Sequence, residues 1–440
     1  MSQPVLSAAP RIGTEDRNVY VDWARAASVC VVVAFHSRLY TLARVDGRLD
    51  LSMWDPPSYL WILSWPLMAI PVFFIAGGYG HSVNMVKAER LGTGYGYFLA
   101  ARGRRLAGPT TAFVGVCAAL ASILALVVGV GPIADLARSG MSLLWFITVY
   151  MGVTAVAPIM VRLHERHGVL TLASLALAAA LVDLVAVTTA QPWLRNLNLG
   201  PVWLFAHQLG IAYHRGGFRS WRAWRLVAVG AVSVLTIVAL VSGLGYPAVS
   251  VGIGSIPIAN VLPPTFAMVP LAVAQACALA AFEKASPRWA TWQRARRPVV
   301  TINALLMTIY LWHVPCIVVV NGVAWLSGLA DLLPDGPRHL LVSVLSILLV
   351  ALVVPVMGRL DAAMVPPLGD RQSTGLAVTA TVTSLLGVGV VWRSGVVVNP
   401  AEPWSTLGVV LVAGGWWLMR HAARTAPPGV PMGARTRGAG

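Results

Sequence analysis

A dozen stretches of about 20 residues run through this chain with almost no charge in any of them, and that feature narrows the possible folds to one class. In hydrocarbon an unpaired backbone N–H or C=O has no water to turn to, so a stretch that crosses a bilayer must close its hydrogen bonds internally, as a helix. The stretches are 20–42, 58–85, 106–130, 142–161, 169–190, 199–214, 225–243, 259–281, 299–320, 339–357, 374–391 and 404–420. They predict an all-α fold, a polytopic transmembrane helix bundle of about 12 spans. Composition agrees: 57% of the 440 residues are apolar and 11% charged, against about 25% charged in a soluble domain. A water-soluble enzyme, a disulfide scaffold and a disordered chain are excluded. The four cysteines, Cys30, Cys117, Cys277 and Cys316, lie inside apolar runs without metal-ligand spacing and read as small core residues.

The first 19 residues are too polar for the apolar core of a signal peptide, so the first run is expected to remain as a membrane helix. Placing the Lys87–Arg105 loop in the cytoplasm fixes every other loop by alternation. It then puts 24 basic residues inside and 6 outside, the asymmetry expected of a multi-pass protein of the cell membrane with both termini cytoplasmic. The net charge of +16 is spread over short clusters between apolar runs, which suits anionic membrane lipid and argues against nucleic acid. The expected organisation is a cytoplasmic segment 1–19, a transmembrane core 20–357, two additional helices within 358–421 and a disordered cytoplasmic tail 422–440. No loop is long enough for a soluble domain, so the chemistry belongs inside the membrane.

Charge inside a span is costly and points to function. The first span, VYVDWARAASVCVVVAFHSRLY, holds Asp22, Arg25 and His36. Asp22 and Arg25, three apart, can pair on one helix face. Arg25 and His36 are eleven apart, three turns plus roughly 20°, so they share a face with a separation of about 16 Å along the axis. A snorkelling arginine and a packed core histidine would leave that common face unexplained. A second cluster, FLAARGRRLAGPT, sets Arg102 and Arg105 three apart at the cytoplasmic mouth of the third span, where two guanidiniums on one face can grip phosphate. No His/Glu pair has zinc-site spacing on a helix, so no metal is expected.

With these residues in place the chain resembles the membrane acyltransferase 3 family, which moves acyl groups from coenzyme A thioesters to carbohydrate and other acceptors. Asp22, Arg25 and His36 match its Arg-x10-His pattern with a preceding Asp, and Arg102 and Arg105 match its Arg-x-x-Arg, followed by Pro109. Softer likenesses are PVFFIAGGYG (Phe73, Phe74, Gly77, Gly78), LLWFITVYMGVTAVAP (Trp145, Phe146, Tyr150, Pro158), NVLPPT (Asn260, Pro263, Pro264) and YLWHVP (Tyr310, His313, Pro315). The likeness runs over most of the first ten spans. It departs where the Phe-Phe motif commonly ends Ser-Gly but Ala76-Gly77-Gly78 stand here, and the fused hydrolase-like domain of some members is missing.

The resemblance implies an O-acyltransferase with acyl-CoA, acetyl-CoA above all, as donor and a saccharide or glycolipid as acceptor at the outer face. In that reading Arg25, Arg102 and Arg105 hold the donor phosphates, and the pantetheine arm spans the Arg25 to His36 rise. His36, Arg25 and Asp22 form the catalytic set, with His36 as general base. Tyr150, Tyr310 and His313 are candidate substrate contacts. Asp22 is too far along the helix to orient His36, and no orienting partner is visible in the sequence. His207 reads as a core residue, Asp183 has no visible basic partner, and Asn260, Gln275 and Asn303 read as helix-joining hydrogen bonders. Trp54, Trp61, Trp404 and Trp416 read as membrane-interface anchors. The competing expectation is a secondary transporter or flippase, for which twelve spans and intramembrane Arg and His are equally natural.

Overall fold

The computed structural model describes residues 18–45, 48–53, 55–90, 92–253, 256, 258–328, 332–369 and 373–424. The expected polar segments at either end of the chain fall almost wholly outside the described residues, as does Trp54. The architecture is an all-α bundle, with one antiparallel hairpin, β1 (Tyr40–Val45) and β2 (Arg48–Met53), inserted after the first helix. Among the described residues, eight helices are long and apolar enough to cross a membrane.

The first of them, α1 (Val19–Leu39), starts where Asn18 caps it, its side chain accepting from the N–H groups of Tyr20 and Val21. The same Asn18 donates from Nδ2 to Glu283 at 3.0 Å, which ties the entry of α1 to α8 (Met268–Ala285). The next expected span, 58–85, is divided. Residues Ser58–Ser64 form a 3-10 helix, and α2 begins only at Ile70 and continues to Arg90. Pro66 accounts for the division, since it removes a helical N–H and drives the preceding residue out of the α region. Pro71, in the first turn of α2, is tolerated because N–H groups there have no intrahelical acceptor.

Helix α3 (Tyr95–Val128) starts eleven residues before the expected third span. Its 34 residues measure about 51 Å, so the first three turns carry Arg102, Arg104 and Arg105 at one end of the bundle. After a short α4 (Val130–Gly140) comes α5 (Leu144–Thr188), which fuses two expected spans. A single non-helical residue, His167, replaces the expected loop between them. Helix α6 (Pro201–His214) has only 14 residues and is buried along nearly its whole length. The short sixth span is therefore an interior helix that falls short of the bilayer thickness, about 21 Å against 30 Å. It docks on α2 through reciprocal glycines: a Cβ at Gly78 would run into the His207 carbonyl, and one at Gly210 into the Ile75 carbonyl. That close approach occupies the place of the missing Ser-Gly turn.

The bundle continues with α7 (Ala223–Leu244), α8, α9 (Gln293–Ala304), α10 (Leu306–Leu326) and α11 (Asp335–Met364). It ends with α12 (Thr374–Ser394) and α13 (Pro403–Arg424), which pack on each other and on α3. Asp183, without a visible partner in sequence, is a buried clasp for the segment between α7 and α8. It accepts from Asn198 Nδ2 (3.0 Å), Tyr246 Oη (2.8 Å) and Phe266 N–H (2.7 Å), with Arg195 Nε at 3.8 Å. Asn303 and Gln275 join elements as expected, donating to the main-chain oxygens of Asp22 (2.8 Å) and Met68 (2.7 Å). Asn260 instead ties its own loop, donating to Pro247 and Val249. The indole N–H of Trp416 donates to the Met364 carbonyl at 2.7 Å, fastening α13 to the end of α11. Of the four thiols, all free, Cys277 and Cys316 are buried, Cys117 is half-buried and Cys30 is exposed, contrary to its expected place in the core.

Candidate functional site: two cavities and a histidine pair

A cavity of about 680 Å³ penetrates the bundle from the end that carries the α3 arginines. Arg25 of α1, Arg102 and Arg105 of α3 and Tyr150 of α5 all line it, so residues far apart in the chain share one space. The helical rise makes the cavity deep. Between Thr154 and Phe146, both on its wall, α5 alone climbs about 12 Å. Arg102 is held by a hydrogen bond from its guanidinium to the Gly80 carbonyl (3.3 Å), and Arg104 by one to Pro366 (2.6 Å). Asp22 stays outside this lining. Its main-chain oxygen takes the Asn303 bond, and Asn303 itself is on the wall.

On the far side lies a smaller, mostly apolar pocket of about 80 Å³, whose lining includes His36, Tyr310 and Trp145. Two helices pass from one space to the other within two residues. On α5, Phe146 faces the large cavity and Trp145 the small pocket; on α10, Thr308 faces the first and Tyr310 the second. Rings from both linings gather in a layer centred on Phe146. Its centroid lies 5.7, 5.5, 5.6 and 5.1 Å from those of Phe73, Phe74, Tyr150 and Tyr310. Phe74 is itself stacked on the buried Trp203 at 5.0 Å.

His36 lines the small pocket, its ring stacked against those of Tyr40 (5.4 Å) and His313 (5.1 Å). Its Nδ1 is 2.9 Å from His313 Nε2, and His313 Nδ1 is 2.7 Å from the Tyr310 main-chain oxygen. Those contacts assign the protons. A carbonyl oxygen only accepts, so His313 Nδ1 carries the hydrogen and its Nε2 offers a lone pair. His36 Nδ1–H donates to that lone pair, which leaves the Nε2 of His36 as an unprotonated acceptor. The orienting partner that the first span lacks is therefore 277 residues away, on α10. His313 is fully buried and lines neither cavity. Tyr310 has its hydroxyl proton committed to the Leu143 carbonyl at 2.8 Å and contributes its ring to the pocket wall.

Two further groups on the large cavity escaped the sequence reading. His81 shares a 2.9 Å hydrogen bond with His207, so the supposed core histidine is half of a buried pair behind the cavity wall. Asp361 takes a 2.6 Å bond from Thr308 through Oδ2, while its buried Oδ1 has no protein partner. Neither could be found from spacing, because His81 sits 126 residues from its partner and Asp361 beyond the last apolar stretch of α11. Gly77 has a steric role: a Cβ there would stand 2.9 Å from the Tyr150 hydroxyl. Among the described residues no group of three His, Cys, Asp or Glu side chains could hold a metal ion.

The family model of the acyltransferase 3 domain matches residues 18–358, more than three quarters of the chain. The chain belongs to this family. It is a multi-pass membrane acyltransferase, and the transporter reading is set aside. No curated protein and no solved structure matches it. Both cavities of the acyltransferase are built chiefly from the matched stretch. Asp361 and the helices α12 and α13 lie beyond its end.

Proposed function

We propose that this acyltransferase moves a short acyl group, acetyl, from cytosolic acyl-CoA to a hydroxyl of a saccharide or glycolipid at the extracytoplasmic face of the cell membrane, with His36 as general base. The observation that carries the proposal is the placing of the two cavities about the rings around Phe146, with Arg25, Arg102 and Arg105 on the large one and His36 on the small one. The large cavity has its guanidiniums at the entrance and aromatic rings at its depth, the polarity of a molecule with phosphates at one end and a thioester at the other. The small pocket has room beside His36 for a few atoms only, which suits acetyl and the attacking hydroxyl and leaves none for a long chain.

In this mechanism Arg25, Arg102 and Arg105 hold the donor phosphates on the cytoplasmic side, and the pantetheine arm brings the thioester to the ring layer. The acceptor hydroxyl enters from the opposite pocket. His36 Nε2 takes its proton as the oxygen attacks the thioester carbonyl, and the developing imidazolium keeps its Nδ1–H on His313. The C–S bond then breaks, the ester leaves on the acceptor side, and the CoA thiolate recovers the proton from Nε2. Atoms and charge balance without a metal or redox group.

The direct test is release of free CoA thiol by the purified protein supplied with acetyl-CoA and a panel of saccharide acceptors. Thiol release that requires acceptor and disappears in His36→Ala supports the reading. A folded wild-type protein that binds acetyl-CoA and never releases thiol with any acceptor overturns it.

A further inference from the structure

The large cavity shares Arg102, Arg104 and Arg105 with a second hollow, of about 170 Å³. Its remaining walls come from the last turns of α2, with Asn84 and Lys87, from Tyr97 in the first turn of α3, and from Leu368 in the segment between α11 and α12. Four cations thus line one small concavity, and among the described residues that line it there is no carboxylate. A loop on the positive side of a membrane accounts for basic residues, but not for their convergence from two helices onto one hollow. Like charges so confined repel one another, and an anion is the component that relieves them. Arg102 and Arg104 are fixed by carbonyl oxygens, and Asn84 Nδ2 donates to the same Gly80 oxygen as Arg102. Lys87 and Arg105 have no hydrogen-bond or ion-pair partner among the described residues and remain available to a ligand.

We propose that this hollow is the seat of the 3′-phosphoadenosine end of the donor, with Lys87 as the ligand of the 3′-phosphate. The proposal rests on the acyl-CoA reading above and adds to it a residue and a subsite. In coenzyme A the 3′-phosphate hangs from the same ribose whose 5′-oxygen carries the diphosphate. A donor with its diphosphate on Arg102 and Arg105 therefore presents a second anionic group within one ribose of them. The hollow that shares those arginines is where that group meets a further cation, and the half-buried Tyr97 supplies an aromatic face for the adenine.

The test compares ligands that differ only in the 3′-phosphate, using the purified full chain. Adenosine 3′,5′-bisphosphate should bind at least about tenfold more tightly than adenosine 5′-monophosphate by calorimetry. Lys87→Ala should erase that preference and Lys87→Arg retain it. In turnover, Lys87→Ala should raise the KM for acetyl-CoA about tenfold at constant kcat while leaving the KM for 3′-dephospho-acetyl-CoA unchanged. Equal binding of the two nucleotides by the wild type, or an equal KM rise for both donors in Lys87→Ala, overturns the subsite. The two readings separate cleanly. Bisphosphate preference without thiol release keeps the subsite and removes acyl transfer; acceptor-dependent turnover that is indifferent to the 3′-phosphate does the reverse.

Discussion

His36 Nδ1 and His313 Nε2 lie 2.9 Å apart across α1 and α10, and this hydrogen bond leaves Nε2 as the nitrogen of His36 that the proposed mechanism turns to the reactants. The two histidines act as a unit, so their removal should be non-additive. His36→Ala is expected to lower turnover by about 100-fold or more with acetyl-CoA binding intact, the usual cost of a lost general base. His313→Ala should lower kcat by about 10-fold or more at unchanged donor KM, through loss of tautomer and orientation. The double variant should be no worse than His36→Ala alone. Turnover per folded molecule, measured with donor binding, checks all three. A His313→Ala variant with full kcat would break the assignment.

Arg102→Ala and Arg105→Ala should each raise the KM for acetyl-CoA, each removing charge-assisted contacts of about 1.5 to 3 kcal/mol. Arg102 also gives up its hydrogen bond to the Gly80 carbonyl, so its loss should disturb α2 as well and lower thermal stability slightly. Arg105 makes no such bond among the described residues, and its variant should keep the wild-type melting temperature. Donor titration and thermal melts, run on both variants, separate binding from folding.

Gly77→Ala should impair catalysis although it adds one carbon, because that carbon would stand 2.9 Å from the Tyr150 hydroxyl and push the ring into the large cavity. Overpacking of this kind costs about 1 to 3 kcal/mol, here expressed as a raised donor KM. Gly115→Ala is the control, since a Cβ at Gly115 on α3 meets nothing within 4 Å. Equal kinetics for the two variants would show that the Gly77 gap is not needed for Tyr150.

The proposed orientation predicts that a cysteine at Arg90 or Arg294, both exposed, is labelled in cysteine-free protein only after cells are permeabilised. One at Trp193, exposed in the segment between α5 and α6, should be labelled in intact cells. Ala290 is fully buried and unsuited to the test. Labelling of Arg90→Cys in intact cells would invert the topology, and with it the side from which the donor enters.

Most of the helices were legible because an apolar run of bilayer length has a single low-energy conformation in lipid. The reading failed where length and apolarity persist without that conformation. Residues 58–69 are as apolar as a span, yet Pro66 breaks them; α6 is apolar because protein surrounds it. Within the site, Arg102 with Arg105 could be paired from sequence, since helical periodicity places close neighbours on a common face, whereas Arg25 and His36, eleven residues apart, line different cavities. The His36–His313 and His81–His207 contacts could not, being set by how α1 meets α10 and α2 meets α6.

The ring layer around Phe146 has an electrical consequence for the proposed route. Across it an acyl group travels outward while the hydroxyl hydrogen travels inward to become the thiol hydrogen of CoA. Formally one positive unit replaces another, so each cycle moves no net charge through the membrane. Transmembrane voltage, worth about 2.3 kcal/mol per charge per 100 mV, should neither drive nor oppose the reaction. The enzyme would export acyl groups at the same rate in energised and depolarised vesicles, its direction set by the free-energy difference between the thioester and the oxygen ester it becomes.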